Sequence, residues 1–308
     1  MAVSAEIQIR RPKGGAAAPA SRRGWTLSSL LREAARQLLP EPRPAPAAYE
    51  HPSQYTRACR GVCYSDGMYP GYRPTLFTRI FAGATLGVYL AVPYIIGLIA
   101  LAAVWSAWAR GAAALVLATY LLPLGPVMVR RVLDAYVFLA WRRYFRFSFV
   151  FDEPLDAYKD YIIAQFPHGA FPLEMYLQHP DFERVKLLGR KGFVRVAVEH
   201  GADILPVFMF GVSQMMSFGP PWLMVIGRRL RMSVGLLYGL WGTPVPRPRR
   251  MRMAVGPPVR VGPPLARGTP EFEARVDAVH AEVVEGLRAV YYRHREAYGW
   301  GDRELLIV

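Results

Sequence analysis

Two long apolar runs dominate the pattern of hydrophobic and polar positions along the chain. Residues 80–109 are thirty positions without a charge, and after Arg110 residues 111–129 are uncharged again. Because about 20 apolar residues cross a bilayer, the pattern predicts two membrane spans, one within 80–107 and one near 111–130. The alternative is a buried helical hairpin of a large soluble core, which thirty uncharged residues disfavour because they exceed an ordinary core helix.

Arginine residues flank this predicted membrane hairpin, which covers 80–130, and they set its expected orientation. Positive charge stays on the cytosolic side of a membrane, so both termini are expected in the cytosol. A pre-membrane segment then covers 49–79, and a cytosolic domain covers 131–308. The flanking residues are Arg57, Arg60, Arg73 and Arg79 before the first span and Arg130, Arg131, Arg142, Arg143 and Arg146 after the second.

The N-terminal segment 1–48 is a basic tail rich in Ala, Pro and Arg, and it contains one helical pattern. Residues 25–39 place their apolar side chains near one helical face, which predicts an amphipathic helix that lies on a membrane. A disordered tail with slight helicity and an organelle transit peptide are the alternatives. The apolar positions are Leu27, Leu30, Leu31, Ala34, Leu38 and Leu39.

Short apolar runs follow the predicted hairpin and have the length of buried strands. They cover residues 161–166, 204–210 and 251–255, and each is bounded by Gly, Pro or charged residues, as buried strands of a sheet often are. Helical patterns lie between and after them. The sequence therefore predicts a membrane-anchored α/β protein, in which a two-helix membrane hairpin precedes an α/β domain.

Two helices are predicted in the same half of the chain. One covers 191–200 and should end at Gly201, since glycine commonly follows the last residue of a helix. A longer helix should begin behind Thr269 as its N-cap, with Pro270 in the first turn, and should end before Gly299. Its apolar residues recur every three or four positions and predict a buried stripe, formed by Phe272, Val276, Val279, Val283, Leu287 and Val290.

Composition agrees with a folded protein at a membrane surface. Hydrophobic residues make up 53% of the 308 residues and the mean hydropathy is +0.14, which excludes a wholly disordered chain. The net charge is +15, and residues 1–150 hold 18 Lys and Arg against 6 Asp and Glu. Basic residues that flank apolar spans favour a membrane over nucleic acid. Cys59 and Cys63 are too few to build a disulfide framework or a four-ligand zinc site by themselves.

His168 is the strongest candidate for chemistry. It stands between Pro167 and Gly169, directly after the predicted strand 161–166, and ligands of α/β domains bind where strands end. The ordinary pKa of histidine, near 6.5, suits proton abstraction at cytosolic pH. The alternative is an ordinary histidine of a surface loop.

Four blocks of sequence stand out in this half: YIIAQFPHGAFPLEMYL (161–177), RKGFVRVAVEHGADILPVFMFG (190–211), GLWGTPVP with AVGPPVRV (239–261) and YGWGDRELLIV (298–308). In this order, behind a two-span hairpin, they resemble the type 2 diacylglycerol acyltransferase family, which includes monoacylglycerol and wax-alcohol relatives. The resemblance covers about 75–308.

The resemblance implies an enzyme of the endoplasmic reticulum membrane, with lipid droplets as a second location. Such an enzyme transfers a fatty acyl group from acyl-CoA to diacylglycerol or a related lipid alcohol. The resemblance implies no metal and no tightly bound cofactor, since acyl-CoA is a substrate. The expected partners are therefore acyl-CoA, the lipid alcohol and the membrane, without nucleic acid, and homo- or hetero-oligomers are left open.

The resemblance also assigns roles to single residues. His168 matches the essential histidine of the family's HPHG motif, with Phe166 in place of the first histidine and with Pro167 and Gly169 retained. His168 would deprotonate the lipid hydroxyl as it attacks the thioester. The basic residues of the second block could pair with coenzyme A phosphates, and their alternative is a solvated helix face. These basic residues are Arg190, Lys191 and Arg195.

One departure from the family concerns the segment between the PHG and RKGF motifs. Only residues 170–189 separate them here, whereas the resemblance implies a much longer segment, so the α/β domain is predicted to be incomplete. The loss would leave apolar surface uncovered near 161–173 and 204–210. It would also remove the groups that orient a general base and stabilise an oxyanion. Glu174 is the nearest remaining carboxylate and a candidate partner of His168.

The departure leaves alternative functions open. A truncated, non-catalytic member of the family could serve as an anchor or as a partner of an active homologue. A glycerol-3-phosphate-type acyltransferase is a third reading, but it expects an acidic residue five positions after the histidine, where Leu173 stands.

Overall fold

The computed structural model describes residues 27–41, 61–121, 134–156, 158–167, 181–219, 229 and 236–308. Helices dominate the first half of this part of the chain, and a mixed sheet covered by helices forms the second half. The first four helices are α1 (Leu27–Leu38), α2 (Leu76–Ala102), α3 (Ala107–Leu121) and α4 (Tyr136–Tyr144).

Helix α2 is long and apolar enough to cross a membrane. Thr75 caps its start by accepting a hydrogen bond from the Thr78 N–H, as expected of an N-cap. Helix α3 has 15 residues, and the rest of the predicted second span lies outside the described residues. The turn between the two helices lies at 103–106, so Arg110 is inside α3 rather than between the spans. A two-helix membrane hairpin stays a prediction.

Helix α1 confirms the helical pattern predicted for 25–39, and polar side chains behind it hold it to the start of α2. The Gln37 side chain accepts from the Leu76 N–H at 3.1 Å, and Glu41 accepts from the Thr75 N–H at 2.9 Å. Burial alone would raise the pKa of Glu41, but the hydrogen bonds that it accepts lower it below its ordinary value. Contact of α1 with a membrane stays a prediction.

Five strands form the main sheet in the order β1-β2-β8-β5-β3. Strand β2 is parallel to β8, β3 is parallel to β5, and β5 is antiparallel to β8. Two small sheets join β4 with β9 and β6 with β7. The strands are β1 (Cys63–Tyr64), β2 (Ser148–Phe151), β3 (Tyr161–Phe166), β4 (Phe182–Val185), β5 (Asp203–Phe210), β6 (Ser217–Gly219), β7 (Leu236–Tyr238), β8 (Arg252–Val255) and β9 (Glu304–Ile307).

Two further helices, α5 (Gly192–His200) and α6 (Pro270–Tyr298), form the core together with the sheet. The predicted starts and ends of these helices are confirmed: Thr269 accepts from the Phe272 N–H, and Gly201 and Gly299 follow the helices with positive φ. The predicted apolar stripe of α6 is fully buried, and α6 lies against β5. The helix ends and the apolar stripe could be predicted because they depend on residues within one or two helical turns of each other.

The prediction of uncovered apolar surface is wrong for residues 204–210. Every residue of β5 is buried, because β5 lies between β8 and β3 and under α6. Strand β3 is the last strand of the sheet, and its Ile163 is 61% exposed. Residues 168–173 lie outside the described part of the chain.

Candidate active site

The carboxyl ends of β3 and β5 define one pole of the sheet. The two strands are parallel and pair Phe166 with Phe208, so they end on the same side. Strand β8 begins on that side, since it is antiparallel to β5 and pairs Arg252 with Phe210. Ligands of α/β domains commonly bind at such an edge. We call this side the catalytic pole.

The predicted histidine motif leaves the sheet at the catalytic pole. Phe166 is the last residue of β3, and both it and Pro167 are buried. His168, Gly169 and Glu174 lie outside the described residues. The general-base role of His168 and its pairing with Glu174 therefore stay predictions.

A tight turn follows β5 at the same pole. Gly211 has a φ of 90°, a conformation that favours glycine. A side chain here would collide with the carbonyl oxygen of Arg250 and the hydroxyl of Tyr298. The glycine thus lets the chain after β5 pass closely beneath the start of β8.

A buried carboxylate lies just beyond this turn. Glu183 of β4 accepts from the Ser213 hydroxyl at 2.7 Å, and from Arg303 Nε at 2.8 Å and Nη2 at 2.7 Å. Burial raises the pKa of Glu183, although the charge of Arg303 and the Ser213 hydrogen bond oppose this. Sequence reasoning missed this cluster. Its two charged members are 120 positions apart, and no local pattern joins them.

A buried arginine marks the start of β8. Arg252 is 4% exposed, and its Nη1 donates to the carbonyl oxygen of Ala297 at 3.1 Å. Burial and the nearby charge of Arg250 lower its pKa. Arg250 stacks over the ring of Tyr298, 4.8 Å from its centroid. These contacts tie the pole to the end of α6.

The residues predicted to bind coenzyme A are placed at the start of α5, and two of them already have acidic partners on α6. Lys191 Nζ lies 2.7 Å from Asp277 Oδ1. Arg195 donates twice to Glu273, both times at 2.6 Å. Arg190 is half-buried, and its backbone N–H donates to Leu187. Their binding of acyl-CoA stays a prediction, but two of the three charges are locally balanced.

Helix α2 packs against strand β7 and the 240–248 loop, which lie near the catalytic pole. The Tyr94 hydroxyl donates to the carbonyl oxygen of Leu237 at 3.0 Å. At Gly87 a Cβ would lie 2.9 Å from Val245 Cγ2, so the helix and the 240–248 loop are in close contact. The Arg247 N–H donates to the Met215 carbonyl at 2.9 Å, which joins this loop to the segment after β5.

An open groove of about 440 Å³ lies between α2 and the 240–248 loop. We call it the α2 groove. The Tyr144 hydroxyl, at its wall, donates to the Pro246 carbonyl at 2.6 Å and fixes the loop. Its lining residues are Leu76, Arg79, Ile80, Gly83, Ala84, Tyr144, Leu240, Trp241, Thr243, Val245 and Pro248.

Comparison with models of protein families gives a match in the second half of the chain. Residues 172–308 match the family model described as diacylglycerol acyltransferase. This part of the chain is therefore similar to that family. The matched residues include β4, α5, β5 and everything after them, and they begin after the Phe166–Pro167 pair.

Curated acyltransferases match about two-fifths of the chain. Diacylglycerol O-acyltransferase 2 of Danio rerio is 28% identical over 144 residues, which is 42% of this chain and 38% of the relative. The Xenopus tropicalis protein of that name is 31% identical over 142 residues, covering 41% and 38%. A 2-acylglycerol O-acyltransferase 1 of Bos taurus is 28% identical over 142 residues, covering 42% and 41%.

The match thus spans about two-fifths of the length of these curated acyltransferases. No solved structure matches the chain. The relatives are named as acyltransferases, and the likeness to them is one of sequence.

Proposed function

We propose that this chain is an acyl-CoA-dependent O-acyltransferase that transfers a fatty acyl group to diacylglycerol or a related lipid alcohol. The observation that carries the proposal is the match of residues 172–308 to the diacylglycerol acyltransferase family. The placement of the histidine motif at the end of β3 supports it, since that end lies at the catalytic pole.

The proposed chemistry needs only a base and two substrates. His168 takes the proton of the lipid hydroxyl while the oxygen attacks the carbonyl carbon of the thioester. The tetrahedral intermediate then collapses, the carbon–sulfur bond breaks, and the coenzyme A thiolate takes the proton back from the imidazolium. Glu174 is the proposed orienting partner of the imidazole. No metal and no further cofactor takes part in this scheme.

The membrane supplies the acceptor in this proposal. Helix α2 is apolar enough to cross a bilayer, and it packs on strand β7 and the 240–248 loop near the catalytic pole. A hydrophobic alcohol that diffuses in the membrane would therefore reach the site beside α2. The proposed location is the endoplasmic reticulum membrane, with both termini and the catalytic pole on the cytosolic side.

The test is the variant His168→Ala in a host that lacks triacylglycerol synthesis. Loss of a general base typically lowers a rate about 10²–10⁴-fold, so most acyl transfer should disappear. His200→Ala is the control, because His200 ends α5 and its ring contacts the carbonyl of Val196. Expression must be measured for both. Near-full transfer by His168→Ala at equal expression would refute the histidine mechanism.

A second candidate is a non-catalytic member of the family that partners an active homologue. The short segment 170–189 and the exposed Ile163 on the edge strand β3 favour it, because uncovered edges associate with other chains. Inactivity of the wild-type chain, with activity restored when the longer central segment of a relative is inserted, would support this candidate over the enzyme.

A further inference from the structure

One wall of the α2 groove is a face of small and apolar residues. Leu76, Ile80, Gly83 and Ala84 line it at intervals of three and four positions, so they lie on one side of the helix. Gly83 has no side chain and Ala84 has only a methyl group, which leaves space between the helix and the 240–248 loop. The volume of about 440 Å³ lies within the range of sites that hold small ligands.

The groove opens onto surface suited to lipid. Ile80, which lines it, is 62% exposed, and Val88 on the same helix is 64% exposed. Trp241 stands on the opposite wall and is 90% exposed, and tryptophan prefers the membrane–water interface. A hydrocarbon chain could therefore enter from the bilayer without crossing water.

Arginine residues line the groove or flank a residue that lines it. Pro248 lines the groove between Arg247 and Arg249, and Arg79 lines it from α2. Within the described part of the chain, none of these three side chains forms an ion pair, and no acidic residue lines the groove. Lys191 and Arg195, in contrast, are paired with carboxylates of α6.

We infer that the α2 groove holds the acyl chain of acyl-CoA, with Arg247 and Arg249 binding the coenzyme A phosphates at its loop end. Arginine suits this role because its planar group donates two hydrogen bonds to one phosphate. The apolar surface of the α2 groove and the arginines beside it together suit a ligand with a hydrocarbon chain and an anionic head group. The inference rests on the proposed function, and it moves the phosphate site from the start of α5 to the 240–248 loop.

The first test concerns the acyl chain. The full-length protein in detergent is labelled with a long-chain acyl-CoA that carries a diazirine in its hydrocarbon chain, and the labelled peptides are mapped. Labels should fall on α2 and the 240–248 loop. Ala84→Phe fills the groove and should lower labelling at least tenfold. The matched control is Ala100→Phe, an exposed alanine on the same helix that does not line the groove.

The second test concerns the phosphates. Arg247→Ala and Arg249→Ala should each weaken acyl-CoA binding about tenfold, since a hydrogen bond to a charged group is worth about that much. Binding of a diazirine fatty alcohol, which has no phosphate, should stay unchanged. Arg288→Gln removes an exposed arginine elsewhere on the surface and is the control for charge. Lys191→Gln tests the site at the start of α5.

Labelling does not require acyl transfer, so this inference and the proposed function fail separately. His168→Ala should keep full labelling even where transfer is lost. Unchanged labelling in Ala84→Phe, or unchanged acyl-CoA affinity in both arginine variants, would overturn the inference. So would labels on α5 together with a loss of affinity in Lys191→Gln. An equal loss of fatty-alcohol binding in the arginine variants would also overturn it, because the arginines would then not act through phosphate.

Discussion

The buried pair of Glu183 and Arg303 offers a prediction whose size follows from the structure. The side chain of Arg303 is 11% exposed and that of Glu183 is 5% exposed, and two guanidinium nitrogens lie within 2.8 Å of one carboxylate oxygen. Arg303→Met keeps most of the side-chain length and removes the charge. Removing one partner of a buried ion pair typically destabilises a protein by about 3–5 kcal/mol, and we expect a loss of that order at neutral pH.

The pH dependence of this loss has a defined sign. Burial raises the pKa of Glu183 in the folded protein, so the folded state holds a proton more tightly than the unfolded chain. Stability from this group is therefore present at low pH and declines as pH rises through the folded-state pKa. In Arg303→Met the opposing attraction is gone, so the decline should be larger and should extend to higher pH.

The assay is urea unfolding of the detergent-solubilised protein between about pH 4 and pH 8, a range that spans the ordinary pKa of glutamate and values above it. The double variant Glu183→Gln/Arg303→Met removes the unpaired charge and is the control. It should recover part of the stability lost at neutral pH and show no pH dependence from this site. A loss below about 1 kcal/mol in Arg303→Met, or an equal loss at every pH, would refute the reasoning.

Two further predictions test the turn at the catalytic pole and the membrane helix. Gly211→Ala should lower the thermal midpoint of unfolding markedly, because φ at Gly211 is 90° and a Cβ there would collide with the Arg250 carbonyl. The control Gly97→Ala should change the midpoint little, since a Cβ at Gly97 meets open space. Equal midpoints for the two variants would contradict the explanation. Carbonate extraction should leave the protein in the membrane because of α2, and protease should remove tags from both termini in sealed microsomes. A protected C-terminal tag would contradict a cytosolic catalytic pole.

The three apolar runs predicted as strands are strands in the structure, and the other strands were missed. The run 161–166 and the core of β5 were found because each is a short apolar segment bounded by turn residues. Strand β4 was missed since its four residues include Glu183 and Arg184. Its partner is β9, more than a hundred positions away, and only that pairing makes such a segment a strand.

The same distinction applies to the candidate site: a motif of adjacent residues could be predicted, and contacts between distant residues could not. The histidine motif could be found because it directly follows the apolar run of a predicted strand in the sequence. The basic residues at the start of α5 were predicted to pair with coenzyme A phosphates because they match a block of the resembled family. Glu273 and Asp277, one helical turn apart on α6, pair with Arg195 and Lys191. A sequence shows where charges are, but not which ones meet.

The sequence by itself determined the apolar helix, the helix caps at Thr269 and Gly299 and the buried stripe of α6, because these depend on residues within a few positions of each other. Tertiary structure alone decided that β5 is fully covered, that Glu183 is buried against Arg303, and that a groove opens between α2 and the 240–248 loop. Burial and charge pairing are contacts between distant segments. The energies of these contacts therefore depend on which surfaces the fold brings together, and a local sequence pattern does not contain that information.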